Sequence, residues 1–128
     1  MKIVSDELAD DPTVDITTIG RRSGEPRRIE IWMFDLNGRF FITGVPGRRS
    51  WLANLVFDPD LTVHLKRKAH TDLPARATIV TDRATRRRVI DYRRPILQRF
   101  ADDAAVTRVD DDLVAHAPMI EVTFESSA

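Results

Sequence analysis

Hydrophobic and polar residues alternate, or form short β-branched runs, in six places along the chain, and both patterns are typical of strands. The six runs are Val14–Ile19, Arg28–Leu36, Arg39–Gly44, Leu61–Lys66, Leu73–Thr81 and Met119–Phe124. Asn37-Gly38 lies between the second and third runs and predicts a two-residue hairpin turn, because both residues tolerate positive φ. Pro74 cannot donate a ladder hydrogen bond, which indicates an edge strand or a bulge in the fifth run.

A helix is predicted over Arg49–Phe57, which ends just before Asp58-Pro59. Its apolar residues at helical spacing are Trp51, Leu52, Leu55 and Val56.

A second helix is predicted after Thr81 or Asp82, either of which can serve as its N-cap. Arg93 interrupts its apolar stripe, and Pro95 is expected to kink or split it. The stripe itself consists of Val89, Ile96 and Phe100.

Hairpins dominate the resulting order of elements, so the sheet is expected to be mainly antiparallel. About six short strands with two or three packed helices predict an α+β, mainly β fold in the form of a small barrel. The pattern differs from that of a doubly wound α/β fold, in which strands and helices alternate regularly.

The composition narrows the class of protein. The chain has 128 residues, with 20 Lys and Arg against 20 Asp and Glu, and its length predicts one domain over residues 1–128. A net charge of zero argues against a nucleic-acid binder driven by a global basic excess. The lack of cysteine excludes disulfides, thiolate metal sites and cysteine nucleophiles. With no signal-peptide pattern and no apolar run near the length of a membrane span, we expect a soluble, cytoplasmic protein.

The net charge of zero is the sum of a basic segment and two acidic segments. Arg21–Arg49 contains seven arginines against three acidic residues, whereas both ends of the chain are acidic. A basic block beside glycines indicates a site for a small anion.

Gly20-Arg21-Arg22-Ser23-Gly24 follows the first predicted strand. It combines a tight turn with exposable N–H groups, a hydroxyl and two guanidiniums, which are the groups of a phosphate or carboxylate site. Its glycine spacing matches no nucleotide-binding motif. A solvated basic turn between two strands is the simpler interpretation of the same residues.

The stretch Gly44-Val45-Pro46-Gly47-Arg48-Arg49-Ser50-Trp51 leads into the first predicted helix. A helix N-terminus carries about +0.5 charge and free N–H donors, which suit an anion or an electron-rich ring edge. The glycines let the backbone approach a flat ligand where a Cβ would collide. An ordinary loop, with Trp51 as a core anchor, is the alternative.

Other candidate chemistry has less support. His64, His70 and His116 lack the spacing of metal ligands, so we expect no metal site. The basic runs Lys66–Lys68 and Arg86–Arg88 are interpreted as solvated surfaces. The sequence also lacks a nucleophile elbow, which leaves hydrolytic chemistry unsupported.

Read in order, the turn and the loop resemble the two signatures of the deazaflavin (F420)-dependent nitroreductase family. The first signature is matched by Ile16-Thr17-Thr18-Ile19-Gly20-Arg21-Arg22-Ser23-Gly24-Glu25-Pro26-Arg27-Arg28. The second is matched by Thr43-Gly44, Pro46-Gly47, Arg49, Trp51, Asn54-Leu55 and Asp58-Pro59, and Leu61–Lys66 continues it. The resemblance implies a split β-barrel that binds coenzyme F420, a deazaflavin made anionic by a phosphodiester and a glutamate tail.

The resemblance also implies roles for particular residues. Arg21, Arg22 and Ser23 would hold the phosphate and the tail of the coenzyme. The loop residues Thr43, Gly44, Pro46, Gly47 and Arg49 would line its ring, supported by Trp51 and Asn54. No residue is assigned a catalytic role.

The function implied is that of an oxidoreductase, which transfers a hydride from reduced deazaflavin to a small conjugated acceptor such as a quinone, an enone or a nitro compound. Trp32, Met33, Phe40 and Phe41 could wall the acceptor pocket, although core packing explains them equally well. The alternatives are FMN or haem on the same barrel, or a non-catalytic carrier of an anionic cofactor or lipid-like ligand. Among partners we expect no nucleic acid and no transmembrane segment, and a homodimer is left open.

Overall fold

The computed structural model of the chain describes residues 1–44, 47, 49–99 and 111–125. Within these ranges the elements are α1 (Lys2–Leu8), β1 (Thr13–Ile19), β2 (Pro26–Leu36), β3 (Arg39–Thr43), α2 (Ser50–Phe57), β4 (Asp60–Leu65), β5 (Thr71–Ile79), α3 (Arg83–Leu97), α4 (Asp111–His116) and β6 (Met119–Phe124). The strands close into a barrel in the order β1-β2-β3-β6-β5-β4. The predicted barrel of six antiparallel strands is therefore confirmed, and α1 and α4 join the two predicted helices.

Two apolar clusters hold the fold together. The inward-facing strand residues fill the barrel, and they include Val14, Ile16, Met33, Phe40, Ile42, Val63, Leu65, Ile120 and Val122. A second cluster packs α3 and α4 against the opposite face of β3 and β6 through Phe41, Val89, Ile90, Leu113 and Met119. Of the four residues considered for an acceptor pocket, Met33, Phe40 and Phe41 are thus core residues.

The hairpin between β2 and β3 turns at Asn37 and Gly38, whose φ values of 53° and 86° confirm the predicted positive-φ turn. The Gly38 N–H donates to Asp35 Oδ1 at 2.8 Å and secures the turn. Only the last residues of β2, from Met33 onward, pair with β3, while Pro26–Trp32 pair with β1. The first half of β2 therefore extends beyond its hairpin partner toward the β1–β2 turn.

Pro74 lies within the closed barrel, opposite Thr62 of β4, so β5 is not the edge strand that this proline suggested. The Pro74 carbonyl accepts the N–H of Glu125 at 3.3 Å, one residue past the end of β6. The ladder on that side is ending, which is why a residue without an N–H is tolerated there.

Helix α3 begins where predicted, because Asp82 Oδ2 accepts the N–H of Thr85 at 2.8 Å as an N-cap. Pro95 lies in the last turn and the helix ends at Leu97, so the proline neither splits nor shortens the main part of α3. Arg93 interrupts the apolar stripe in sequence but is buried, and burial lowers its pKa to about 10. Phe100, the third residue of the predicted stripe, lies outside the described residues.

Arg86 is also buried, which corrects the interpretation of Arg86–Arg88 as one solvated surface. Its Nε donates to the Val114 carbonyl at 2.7 Å and its Nη1 to the Val80 carbonyl at 2.9 Å, while Nη2 donates to the Ala117 carbonyl. The side chain thereby joins α3 to the residue after β5, to α4 and to the start of the α4–β6 connection.

Replacing Arg86 with methionine should lower the free energy of unfolding by about 2 kcal/mol, because buried carbonyls lose their donors. Thermal and urea unfolding of the variant measure this loss. Arg88→Met, at an exposed position of the same helix, is the control and should change stability by less than about 0.5 kcal/mol. Equal stability of the two variants would contradict a bracing role for Arg86.

None of the helices in the described ranges is both long and apolar enough to span a bilayer.

Candidate functional site

The turn between β1 and β2 is closed by its own backbone. The Gly20 N–H donates to the Glu25 carbonyl at 2.9 Å, and the Gly24 N–H donates to the Gly20 carbonyl at 2.8 Å. Gly24 has a φ of +71°, and a Cβ on Gly20 would lie 2.6 Å from Ser23 Oγ. The positive φ of Gly24 therefore favours glycine there, whereas a side chain at Gly20 would displace the Ser23 hydroxyl.

Helix α2 lies against this turn, and Asn54 makes the connection. Its Oδ1 accepts the Arg21 N–H at 3.1 Å, and its Nδ2 donates to Thr18 Oγ1 at 3.1 Å. Asn54 and Thr18 are both buried. The end of β1, the turn and α2 are thus joined by one buried side chain.

A groove of about 950 Å³ runs along α2 beside the turn. Near the helix N-terminus it is lined by Arg21, Gly47, Arg49 and Ser50, and further along by Leu52, Ala53, Val56 and Phe57. A smaller cavity of about 340 Å³ shares Arg21 and Ser50 with the groove and is lined also by Arg22, Ser23, Arg27 and Trp51. The two spaces together offer a ligand a basic end and an apolar wall.

The arginines of the basic block differ in their partners. Arg28 Nε donates to Asp15 Oδ2 at 2.9 Å, and Arg39 forms two hydrogen bonds with the Glu121 carboxylate. Across the described part of the chain, by contrast, no carboxylate pairs with the guanidinium of Arg21 or Arg22. Uncompensated positive charge is therefore concentrated at the turn beside the groove.

The model of the F420H(2)-dependent quinone reductase family matches residues 3–110. The chain belongs to this family. It is accordingly an oxidoreductase of a deazaflavin-dependent group, and the matched range contains the turn, α2 and the whole groove lining. No curated protein matches the chain in sequence.

Solved structures with the same fold share little sequence with this quinone reductase family member. A candidate 5-nitroimidazole antibiotic resistance protein from Bacteroides thetaiotaomicron has a TM-score of 0.72 at 10% identity, covering 98% of this chain and 80% of that one. A candidate pyridoxamine 5'-phosphate oxidase from Listeria innocua has a TM-score of 0.68 at 9% identity, with 98% and 93% covered. A FAD-binding protein from Mesorhizobium loti has a TM-score of 0.67 at 10% identity, with 98% and 89% covered. These likenesses establish the split-barrel fold.

The residues that the family resemblance assigns to the ring of the coenzyme do not all line the groove or the adjoining cavity. Thr43 is buried at the end of β3, and Gly44 donates its N–H to the Pro118 carbonyl at 3.2 Å. Neither lines the groove in the described part of the structure, whereas Gly47, Arg49, Trp51 and Asn54 line it or the adjoining cavity. Pro46 lies outside the described residues.

Sequence reasoning missed two features of the site. The contact between Thr18 and Asn54 was not predicted, because the two residues lie 36 positions apart along the chain. Val56 was expected among the apolar residues of a packed helix, yet Val56 and Phe57 are 67% and 68% exposed and form the apolar wall. Nothing in helical spacing distinguishes a wall of this kind from a core face.

A second polar constellation lies on the barrel wall, apart from the groove lining. His64 Nε2 is 2.6 Å from Thr17 Oγ1, and its Nδ1 is 2.7 Å from Asp72 Oδ1. These contacts join β1, β4 and β5 across the outside of the barrel. In the ranges that the structure describes, no group of three His, Cys, Asp or Glu residues is placed to hold a metal ion.

Proposed function

We propose that this protein binds coenzyme F420 in the groove beside α2 and uses it to reduce a quinone-class acceptor. The observation that carries the proposal is the pair of uncompensated guanidiniums: Arg21 lines both the groove with the apolar wall and the adjoining cavity, and Arg22 lines that cavity. A ligand suited to this site has an anionic end and a flat, apolar part. Family membership supports F420 as that ligand.

The residues present fit such a coenzyme. The N–H groups of Arg22 and Ser23 make no hydrogen bond within the described ranges, so they add two donors to the two guanidiniums. Anions are favoured by successive backbone N–H groups and by fork-shaped guanidinium donors. We therefore assign the phosphodiester and glutamate tail to Arg21, Arg22 and Ser23.

The reacting part of the coenzyme belongs, in this proposal, along α2 near Gly47, Arg49 and Trp51. When bound, reduced F420 supplies the hydride, so the protein's tasks are to bind and orient the reactants. Exposed Val56 and Phe57 provide an apolar surface on which a quinone ring can lie once the coenzyme is in place.

Titration of the purified protein with F420, FMN and haem, followed by absorbance, tests the cofactor. We expect F420 to bind with a Kd well below the millimolar range, that is, more favourably than about −4 kcal/mol, and more tightly than the other two. If FMN or haem binds more tightly than F420, that cofactor replaces F420 in the proposal.

Oxidation of reduced F420 by a panel of quinones, enones and nitro compounds tests the reaction. Catalysed oxidation by quinones above the rate without protein supports the proposal. Tight F420 binding with no turnover of any acceptor would instead indicate a carrier.

A further inference from the structure

We propose that Thr18 and Asn54 are positioning residues that set the anion affinity of the β1–β2 turn. This inference rests on the proposed function, because the anion concerned is the phosphodiester and tail of F420. Neither residue is required to touch the coenzyme. Both act through the backbone of Arg21.

The contacts form a short chain from the barrel to the turn. Thr18 Oγ1 accepts the Asn54 Nδ2 hydrogen at 3.1 Å, and Asn54 Oδ1 accepts the Arg21 N–H at 3.1 Å. Thr18 is 2% exposed and Asn54 is 5% exposed, so water does not compete readily for either bond. The Arg21 N–H can only donate, so it faces the Asn54 oxygen, and the Asn54 amide nitrogen is left to donate to the Thr18 hydroxyl.

This chain determines which donors of the turn remain for a ligand. The N–H groups of Gly20 and Gly24 are used inside the turn, the Glu25 N–H donates to Ser23 Oγ at 3.2 Å, and Asn54 takes the Arg21 N–H. Within the described ranges, the N–H groups of Arg22 and Ser23 are left without an acceptor. Holding the backbone of Arg21 thus presents the two successive amides of Arg22 and Ser23 in one preorganised arrangement.

Preorganisation of this kind raises affinity without adding a contact, because the free turn then loses less conformational entropy on binding. The expected signature is a change in the Kd of F420 with little change in kcat. A ligand that lacks the phosphodiester and tail gains nothing from the turn, so its affinity should be independent of Thr18.

The experiment compares Thr18→Val, which keeps the side-chain shape but removes the acceptor, with Thr18→Ser, which restores a hydroxyl. Thr62→Val is the matched control: Thr62 lies in the neighbouring strand β4, and its side chain makes no hydrogen bond in the described part of the protein. Each variant is titrated with F420 and with the deazaflavin ring that lacks the phosphodiester and tail. Hydrogen exchange of the Arg21 amide, measured by NMR, reports the contact with Asn54 in the absence of any ligand.

For Thr18→Val we expect the Kd of F420 to rise about tenfold, the Arg21 amide to exchange faster by a similar factor, and kcat to change less than about twofold. Thr18→Ser and Thr62→Val should stay within about twofold of wild type in all three. The ring fragment should bind all four proteins alike. Thermal unfolding verifies that each variant is folded, and Thr18→Ala, which also removes the acceptor, carries the test if Thr18→Val is not.

Two negative results have different meanings. If wild type binds F420 and Thr18→Val binds it equally well despite faster exchange at Arg21, the two residues are structural only and the inference is overturned. If wild type does not bind F420 at all, the proposed function fails and the inference fails with it.

Discussion

Replacing Arg21 and Arg22 together with alanine should weaken F420 binding by about 10- to 100-fold at low ionic strength. Both guanidiniums lie at the turn without a carboxylate partner in the described residues, so their charge is available to an anionic ligand. Salt screens such contacts, and the loss should therefore shrink as the salt concentration rises. Titration of wild type and variant with F420 at several salt concentrations measures both effects.

The control is Arg87→Ala with Arg88→Ala, which removes the same charge from α3, away from the residues that line the groove. This pair should leave the Kd of F420 within about twofold of wild type, because neither residue lines the groove or the adjoining cavity. An equal loss in both double variants would mean that only the net charge of the protein matters. An unchanged Kd in the Arg21 and Arg22 variant would make the β1–β2 turn an ordinary solvated turn.

Much of the barrel could be predicted because its signals are local. The period-two pattern of Leu61, Val63 and Leu65 is set by the pleat of a single strand, and the positive φ of Asn37 and Gly38 is a property of those two residues. The N-cap Asp82 likewise contacts Thr85 three residues later. Such features depend on neighbours in sequence, so a single sequence contains them.

Local patterns could not show which arginines of the basic block are paired with carboxylates. Arg21 and Arg28 are equivalent in sequence, each within a basic run, yet Arg28 is neutralised by Asp15 across the β1–β2 ladder. Arg39 is neutralised by Glu121, which lies 82 positions away on β6. Strand register decides which arginines are paired, and therefore which remain available to a ligand.

The burial of two arginines was the other feature that the sequence did not predict. Arg86 and Arg93 have the spacing of an interrupted apolar stripe, and a sequence does not reveal that the carbonyls of Val80, Val114 and Ala117 converge on one of them. Helix α1 could not be predicted for a similar reason. Its seven residues show little periodicity, and the side chain that anchors the helix contacts a loop 60 positions along the chain. Such elements are fixed by tertiary hydrogen bonds rather than by propensity.

That anchor is Glu7, and Glu7→Ala should lower the free energy of unfolding by about 4 kcal/mol at neutral pH, the largest stability loss predicted for this protein. The buried Glu7 carboxylate accepts the N–H groups of Arg67, Lys68 and Ala69, each at 2.9 Å. Removing it leaves three backbone donors without an acceptor and releases α1 from the loop after β4. Urea unfolding of wild type and variant measures the loss.

The variant Glu7→Gln removes the charge of the side chain and keeps its shape, so it tests the two contributions separately. Burial raises the pKa of the Glu7 carboxyl, but the N–H donors of Ala69, Arg67 and Lys68 outweigh burial and bring that pKa below its ordinary value. A carboxyl with a lowered folded-state pKa stabilises the fold above its unfolded pKa of about 4.3, and this contribution is lost as the pH falls through the folded-state pKa. The difference in unfolding free energy between wild type and Glu7→Gln should therefore be largest at neutral pH and become smaller in acid.

Asp6→Asn, on the exposed side of α1, is the control and should cost less than about 0.5 kcal/mol. A difference between wild type and Glu7→Gln that stays constant into strong acid would show that shape rather than charge holds α1 in place.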